Sequence, residues 1–155
     1  MIKIIGLGNP LMGDDAFGLF VIDELKNRLL NGSNEDIKLI SLPTPSPWDI
    51  YEVLREGGDF IIIDVFDKGS DGKIEVFPIS DLSKVDNKFK TVHDININQV
   101  IDLLSLHNIT VKGFIIGTKG YNFNISLELS EYLDKLVKSC SDRVLELVLS
   151  YKKNH

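Results

Sequence analysis

Four large apolar residues in a row, Phe60-Ile61-Ile62-Ile63, preceded by Gly57-Gly58 and followed at once by Asp64, constrain this chain more than any other stretch. A strand with one wet face alternates apolar and polar residues, whereas an unbroken apolar run implies burial on both faces. Such a strand belongs at the centre of a sheet covered by helices on both sides. Residues 2–7, apolar apart from Lys3 and carrying the first of several glycines, read in the same way.

The segments between these strands have helical period. Phe17, Phe20, Val21, Ile22, Leu25 and Leu29 recur at helical spacing across residues 16–30, and Asn31-Gly32 supplies the stop. Residues 37–42 are strand-like, and Pro43, Pro45 and Pro47 forbid their continuation because proline lacks a backbone donor. A short helix over 48–56 follows, with Ser46 as its cap. Residues 73–79 alternate after a turn sequence, which suits a local antiparallel or edge strand. A helix near 95–107, a strand at 110–117 and a long amphipathic helix from about 127 to 149 complete the pattern. Alternation of this kind predicts an α/β chain: a three-layer α/β/α sandwich on a mostly parallel, twisted five-stranded sheet with one antiparallel or edge strand.

At 155 residues and 43% hydrophobic content, the chain suits one core, so residues 1–155 are read as a single domain. A net charge of −6 opposes an electrostatic grip on a phosphate backbone, so nucleic acid is not expected as a partner. The lone Cys140 has no disulfide mate and reads as a helix-packing thiol. No run approaches the roughly 18 apolar residues of a membrane span, and no cleavable leader pattern opens the sequence, so a cytoplasmic location without membrane insertion is expected.

Between the first strand and first helix lies Gly6-Leu7-Gly8-Asn9-Pro10-Leu11-Met12-Gly13-Asp14-Asp15-Ala16-Phe17-Gly18. A dinucleotide loop would occupy this place, but Leu11 replaces its third glycine, and two carboxylates stand where phosphate would approach. A phosphate-cradling P-loop is excluded by the lack of Gly-Lys-Ser/Thr. Asp14 reads as a cap or dipole partner at the helix start, while for Asp15 capping and function stand about even.

The pattern Gly8-Asn9-x-x-x-Gly13-Asp14-Asp15-x-x-Gly18 resembles the N-terminal signature of the hydrogenase maturation proteases. Asp64 after the apolar third strand and Thr91-Val92-His93-Asp94 ahead of a helix match the family's later positions, and the likeness spans almost the whole chain in element order. The resemblance implies a phosphorylase/hydrolase-like fold and an aspartic-type endopeptidase. Its catalytic carboxylates would be Asp15 and Asp64, and its metal ligands Asp15, Asp64 and His93. It also implies a substrate, the large-subunit precursor of a nickel-iron hydrogenase, whose own nickel is read before a C-terminal extension is removed. Two places depart from the family pattern. Leu42-Pro43-Thr44-Pro45 replaces a Gly-Gly-Thr-like turn, and Gly117-Thr118-Lys119-Gly120 lacks the usual proline.

In an open α/β sheet, ligands gather where strand order reverses, at the strands' carboxyl ends. If the order begins two-one-three, Asp15 and Asp64 flank that crevice, and the loop with His93 can close over it. Two oxygens and one nitrogen form an incomplete set for nickel, zinc or cadmium and leave positions for water or a substrate-borne donor. A metal so held polarises a scissile carbonyl, and a neighbouring carboxylate takes the proton. His107 is expected at its helix end as a dipole partner, and His155 as a terminal residue.

Two rivals bear on this reading. Peptidyl-tRNA hydrolases share the opening Gly-Leu-Gly-Asn-Pro, here Gly6 to Pro10, but this chain has no histidine before His93 and is acidic. A metal-sensing chaperone that binds an assembly intermediate without cutting it would keep fold and ligands alike. The apolar stripe of the last helix is expected to pack on the sheet, which leaves a monomer.

Overall fold

The computed structural model describes residues 1–32, 34–81 and 97–154. In chain order the elements are β1 (Ile2–Gly8), α1 (Phe17–Leu29), β2 (Ile37–Pro43), α2 (Pro47–Leu54), β3 (Gly58–Phe66), β4 (Glu75–Pro78), α3 (Ile97–Leu106), β5 (Val111–Lys119) and α4 (Glu131–Asn154). Short 3-10 turns occupy Gly13–Ala16 and Ile79–Asp81. The five strands form one sheet in the order β2-β1-β3-β5-β4. All neighbours are parallel except β4, which runs antiparallel to β5 at the edge.

Alternation along the buried strands sorts their side chains between two helical layers. Ile2, Ile4, Ile61 and Ile63 pack with Phe17, Val21 and Leu25 of α1 and with Leu133, Val137 and Val144 of α4. Ile5, Leu7, Phe60 and Ile62 pack with Ile50 and Leu54 of α2 and with Val100 and Leu104 of α3. Both strands that read as largely apolar are therefore covered twice, as expected of the sandwich.

Local sequence explains several element ends. Ser46 caps α2 in a capping box: its hydroxyl accepts from Asp49 N at 3.3 Å, and the Asp49 carboxylate accepts from Ser46 N at 2.8 Å. Pro47 is the first helical residue, where a missing N–H costs nothing. The last helix starts at Glu131, later than its apolar period suggests, because residues 121–130 are bound to the loop after β1 instead. His107 does not act only through the dipole of its helix: its Nδ1 lies 2.7 Å from the Tyr51 hydroxyl, which joins α3 to α2.

At Gly18 the first turn of α1 meets the sheet through backbone. A methyl group on Gly18 would come within 2.5 Å of the carbonyl oxygens of both Leu7 and Ile63, and one on Gly6 within 2.4 Å of the Gly18 carbonyl oxygen. Replacing Gly18 by alanine is expected to destabilise the fold by about 3 kcal/mol, since only main-chain atoms stand in the way, and urea unfolding measures it.

At the opposite edge, Lys3 is buried in β1 and donates to Glu56 Oε2 at 2.6 Å and to Val53 O at 3.2 Å, tying the end of α2 to the sheet. The Lys3 ammonium holds the Glu56 carboxyl below the usual glutamate range, by hydrogen bond first and charge second. The unfolded chain then binds the extra proton first as pH falls. The stabilisation is complete above the ordinary glutamate value and is lost as pH drops through the folded one. Glu56→Gln is therefore expected to flatten the stability curve below about pH 5, measured by urea midpoints across the acid range.

Candidate functional site

Pairing between β1 and β3 stops at Gly6↔Ile63, while β1 stays with β2 to Gly8↔Pro43 and β3 stays with β5 to Phe66↔Lys119. The sheet thus opens at its carboxyl edge between β1 and β3, where the strand order reverses, and the first residue past the last pair on β3 is Asp64. Asp64 is 1% exposed, and its Oδ1 accepts from the next backbone amide, Val65 N, at 2.8 Å.

Asp15 reaches the same edge from the other layer. It sits in the turn Gly13–Ala16 that leads from β1 into α1, and it is fully buried. Its Oδ2 accepts from Asn9 N at 3.0 Å, and its own N–H donates to Met12 O at 3.2 Å. A methyl group on Gly8 would lie 2.2 Å from the Asp15 carbonyl oxygen, so this glycine serves close approach of β1 to the turn, not phosphate. Asp15 thus follows β1, whereas Asp64 lies inside β3 and not after it as expected, because β3 stays paired with β5 through Phe66.

The third expected ligand, His93, lies outside the described residues. Among the described residues no three His, Cys, Asp or Glu side chains gather closely enough to hold a metal ion. Two buried carboxylates suit a divalent cation as a partial ligand set, one that needs donors from elsewhere. Asp14 does not cap its own turn, whose N-cap is Met12 with no side-chain bond. Its carboxylate is turned the other way and accepts backbone N–H groups from residues 121–130, a long-range role that spacing does not reveal.

Two neighbours of the edge are the positions that depart from the expected pattern. Thr44 N donates to Gly8 O at 2.6 Å, which carries the β1–β2 pairing past the end of β2. The threonine adopts a left-handed backbone, φ 49°. Thr118 is fully buried at the end of β5, and its hydroxyl has no hydrogen-bond partner among the described residues. Tyr121, just beyond, donates its hydroxyl to Asp71 at 2.6 Å; that bond pushes the phenol up to about 12, so it acts as a donor at neutral pH. Cys140 lies in the α1/α4 layer, and burial pushes its thiol up to about 12, which rules out a thiolate nucleophile there at neutral pH. Among the described residues no helix is long and apolar enough to cross a membrane.

Comparison with known proteins agrees with this architecture. No family model matches the chain. A protein of Methanocaldococcus jannaschii, itself proposed to be a hydrogenase maturation protease, is 24% identical over 150 residues, covering 96% of this chain and 94% of that one. The hydrogenase-maturating endopeptidase HybD of E. coli superimposes with a TM-score of 0.83 at 16% identity, covering 97% of this chain and 93% of the other. The [NiFe] hydrogenase maturation protease HybD of Thermococcus kodakarensis gives 0.73 at 20% identity, covering 94% and 97%. The fold is the one these endopeptidases share.

A β-branched residue in the left-handed region is strained, and asparagine tolerates that backbone better. Thr44→Asn is expected to stabilise the protein by about 0.5–1 kcal/mol, read from thermal or urea unfolding.

Proposed function

We propose that this chain is an endopeptidase that removes a C-terminal extension from the nickel-loaded large-subunit precursor of a nickel-iron hydrogenase. One observation carries the reading. A buried Asp15 in the glycine-rich turn that leaves β1, and a buried Asp64 just past the last β1–β3 pair, occur in a fold shared with hydrogenase-maturating endopeptidases.

Nickel enters as part of the substrate. Asp15, Asp64 and His93 complete the coordination of an ion whose other donors come from the precursor, so a precursor without nickel is not engaged. The bound ion supplies Lewis-acid polarisation of the scissile carbonyl when the precursor is seated. Asp15 and Asp64 orient that carbonyl and the attacking water, and whichever carboxylate lies nearer the water takes its proton. Zinc or cadmium can occupy the same ligands in vitro. The chain acts as a single domain in the cytoplasm and as a monomer, supported by the use of Leu133, Val137 and Val144 of α4 in its own core.

The buried hydroxyl of Thr118, without a hydrogen-bond partner among the described residues, and the strained Thr44 favour a second reading, a chaperone that senses the metal and binds the precursor without cutting it. The two readings separate by mass. Incubated with nickel-loaded cognate precursor, the wild-type chain is expected to shorten it, and nickel-free precursor is expected to stay whole. Asp15→Asn, Asp64→Asn and His93→Gln are each expected to lower the cleavage rate by about a hundredfold or more. A loaded precursor that binds but keeps its mass would select the chaperone; one that neither binds nor shortens would overturn both.

A further inference from the structure

Two adjacent carboxylates in the turn before α1 face different ways. Successive side chains of a 3-10 turn point about 120° apart. Asp15 meets the exit of β1 through Asn9 N. Asp14 meets the segment ahead of α4, where it is fully buried and accepts four hydrogen bonds. Its Oδ1 accepts from Ser130 N at 2.7 Å. Its Oδ2 accepts from Tyr121 N at 2.8 Å, Asn122 N at 2.9 Å and Ser130 Oγ at 3.0 Å. Backbone bonds follow the same path, from Asp14 N to Asn122 O at 2.8 Å, from Gly13 N to Ser126 O at 2.9 Å, and from Ser126 N to Leu11 O at 2.9 Å.

A buried carboxylate is tolerated only where fixed donors meet it, and three of these four are main-chain amides that cannot turn away. Gly13 adds a geometric lock: its φ is 57°, and a side chain there would come within 2.5 Å of Asn122 O. The turn that carries Asp15 is thus clamped from outside by residues 121–130, with Asp14 as the bolt.

We infer that Asp14 is a positioning residue: by locking residues 121–130 onto the turn, it holds Asp15 at the mouth between β1 and β3. Its relevance to cleavage rests on the proposed role of Asp15, but its structural action does not. Asp14→Asn keeps the shape while turning an N–H₂ group toward donors. Ser130→Ala removes one bond of the four.

The reporter is the Asn9 amide, which bonds to Asp15 and not to Asp14. In Asp14→Asn its hydrogen-exchange protection is expected to fall about tenfold while the amides of Ile61 to Ile63 in β3 keep theirs, with a smaller fall at Asn9 in Ser130→Ala. With loaded precursor, kcat is expected to drop about a hundredfold with little change in KM. Unchanged protection at Asn9, or a loss shared equally by β3, would overturn the inference. Should Asp14→Asn fail to fold, Ser130→Ala decides by the same comparison of Asn9 with β3. If the wild-type chain cuts no precursor, the protease reading falls while the Asn9 amide still decides the role of Asp14.

Discussion

The first turn of α1 rests directly on the backbones of β1 and β3, with Gly6, Gly8 and Gly18 at the points of contact and no room for a methyl group at any of them. This contact fixes how the chain leaves β1, how near the helix comes to the switch point, and where the intervening turn must run. Helix–sheet packing normally keeps side chains between its layers. Their absence at this crossing brings the turn bearing both aspartates against the sheet edge. The glycines occupy the place of a nucleotide-binding loop, yet they are used for closeness, and the space a phosphate would need is taken by the Asp15 carbonyl and carboxylate.

Hydrogen bonding gives the two buried carboxylates of that turn different partners. Asp14 has its charge met by four donors from one segment, which is the pattern of a structural anion. Asp64 lies just past the point where β1 and β3 part, and Asp15 in the turn that leaves β1; a strand-order reversal of this kind is the general location of ligand chemistry in open α/β sheets. At the same edge the left-handed Thr44 bonds to Gly8 O, and the buried Thr118 hydroxyl has no partner among the described residues. Strain and unmet polarity concentrated at one edge accord with a surface kept for a substrate rather than for stability.

Much of the fold was legible in the residues because the relevant forces are local and periodic. The apolar run at residues 60–63 and the largely apolar residues 2–7 meant double burial, and the helical spacing of Phe17, Val21, Ile22 and Leu25 meant a covering helix; both hold. Ser46 announced itself as a helix cap because the groups it joins lie three residues apart. The start of α4 was misjudged for the opposite reason: the apolar period runs back past Glu131, but Asp14, more than a hundred positions away, claims the amides of Tyr121, Asn122 and Ser130. Tyr51 and His107 met in the same unannounced way, across two helices.

By itself, then, the sequence determined the sandwich and the strand types, which follow from periodicity and residue size, while the candidacy of Asp15, Asp64 and His93 came from the resemblance its motifs carry. Only tertiary structure decided that Asp14 is a bolt between distant segments and not a helix cap. It alone opened the sheet one residue before Asp64 and strained Thr44 against β1. The physical reason is that hydrogen bonds of a buried carboxylate and the end point of strand pairing depend on which distant backbone groups arrive, and no local pattern encodes that arrival.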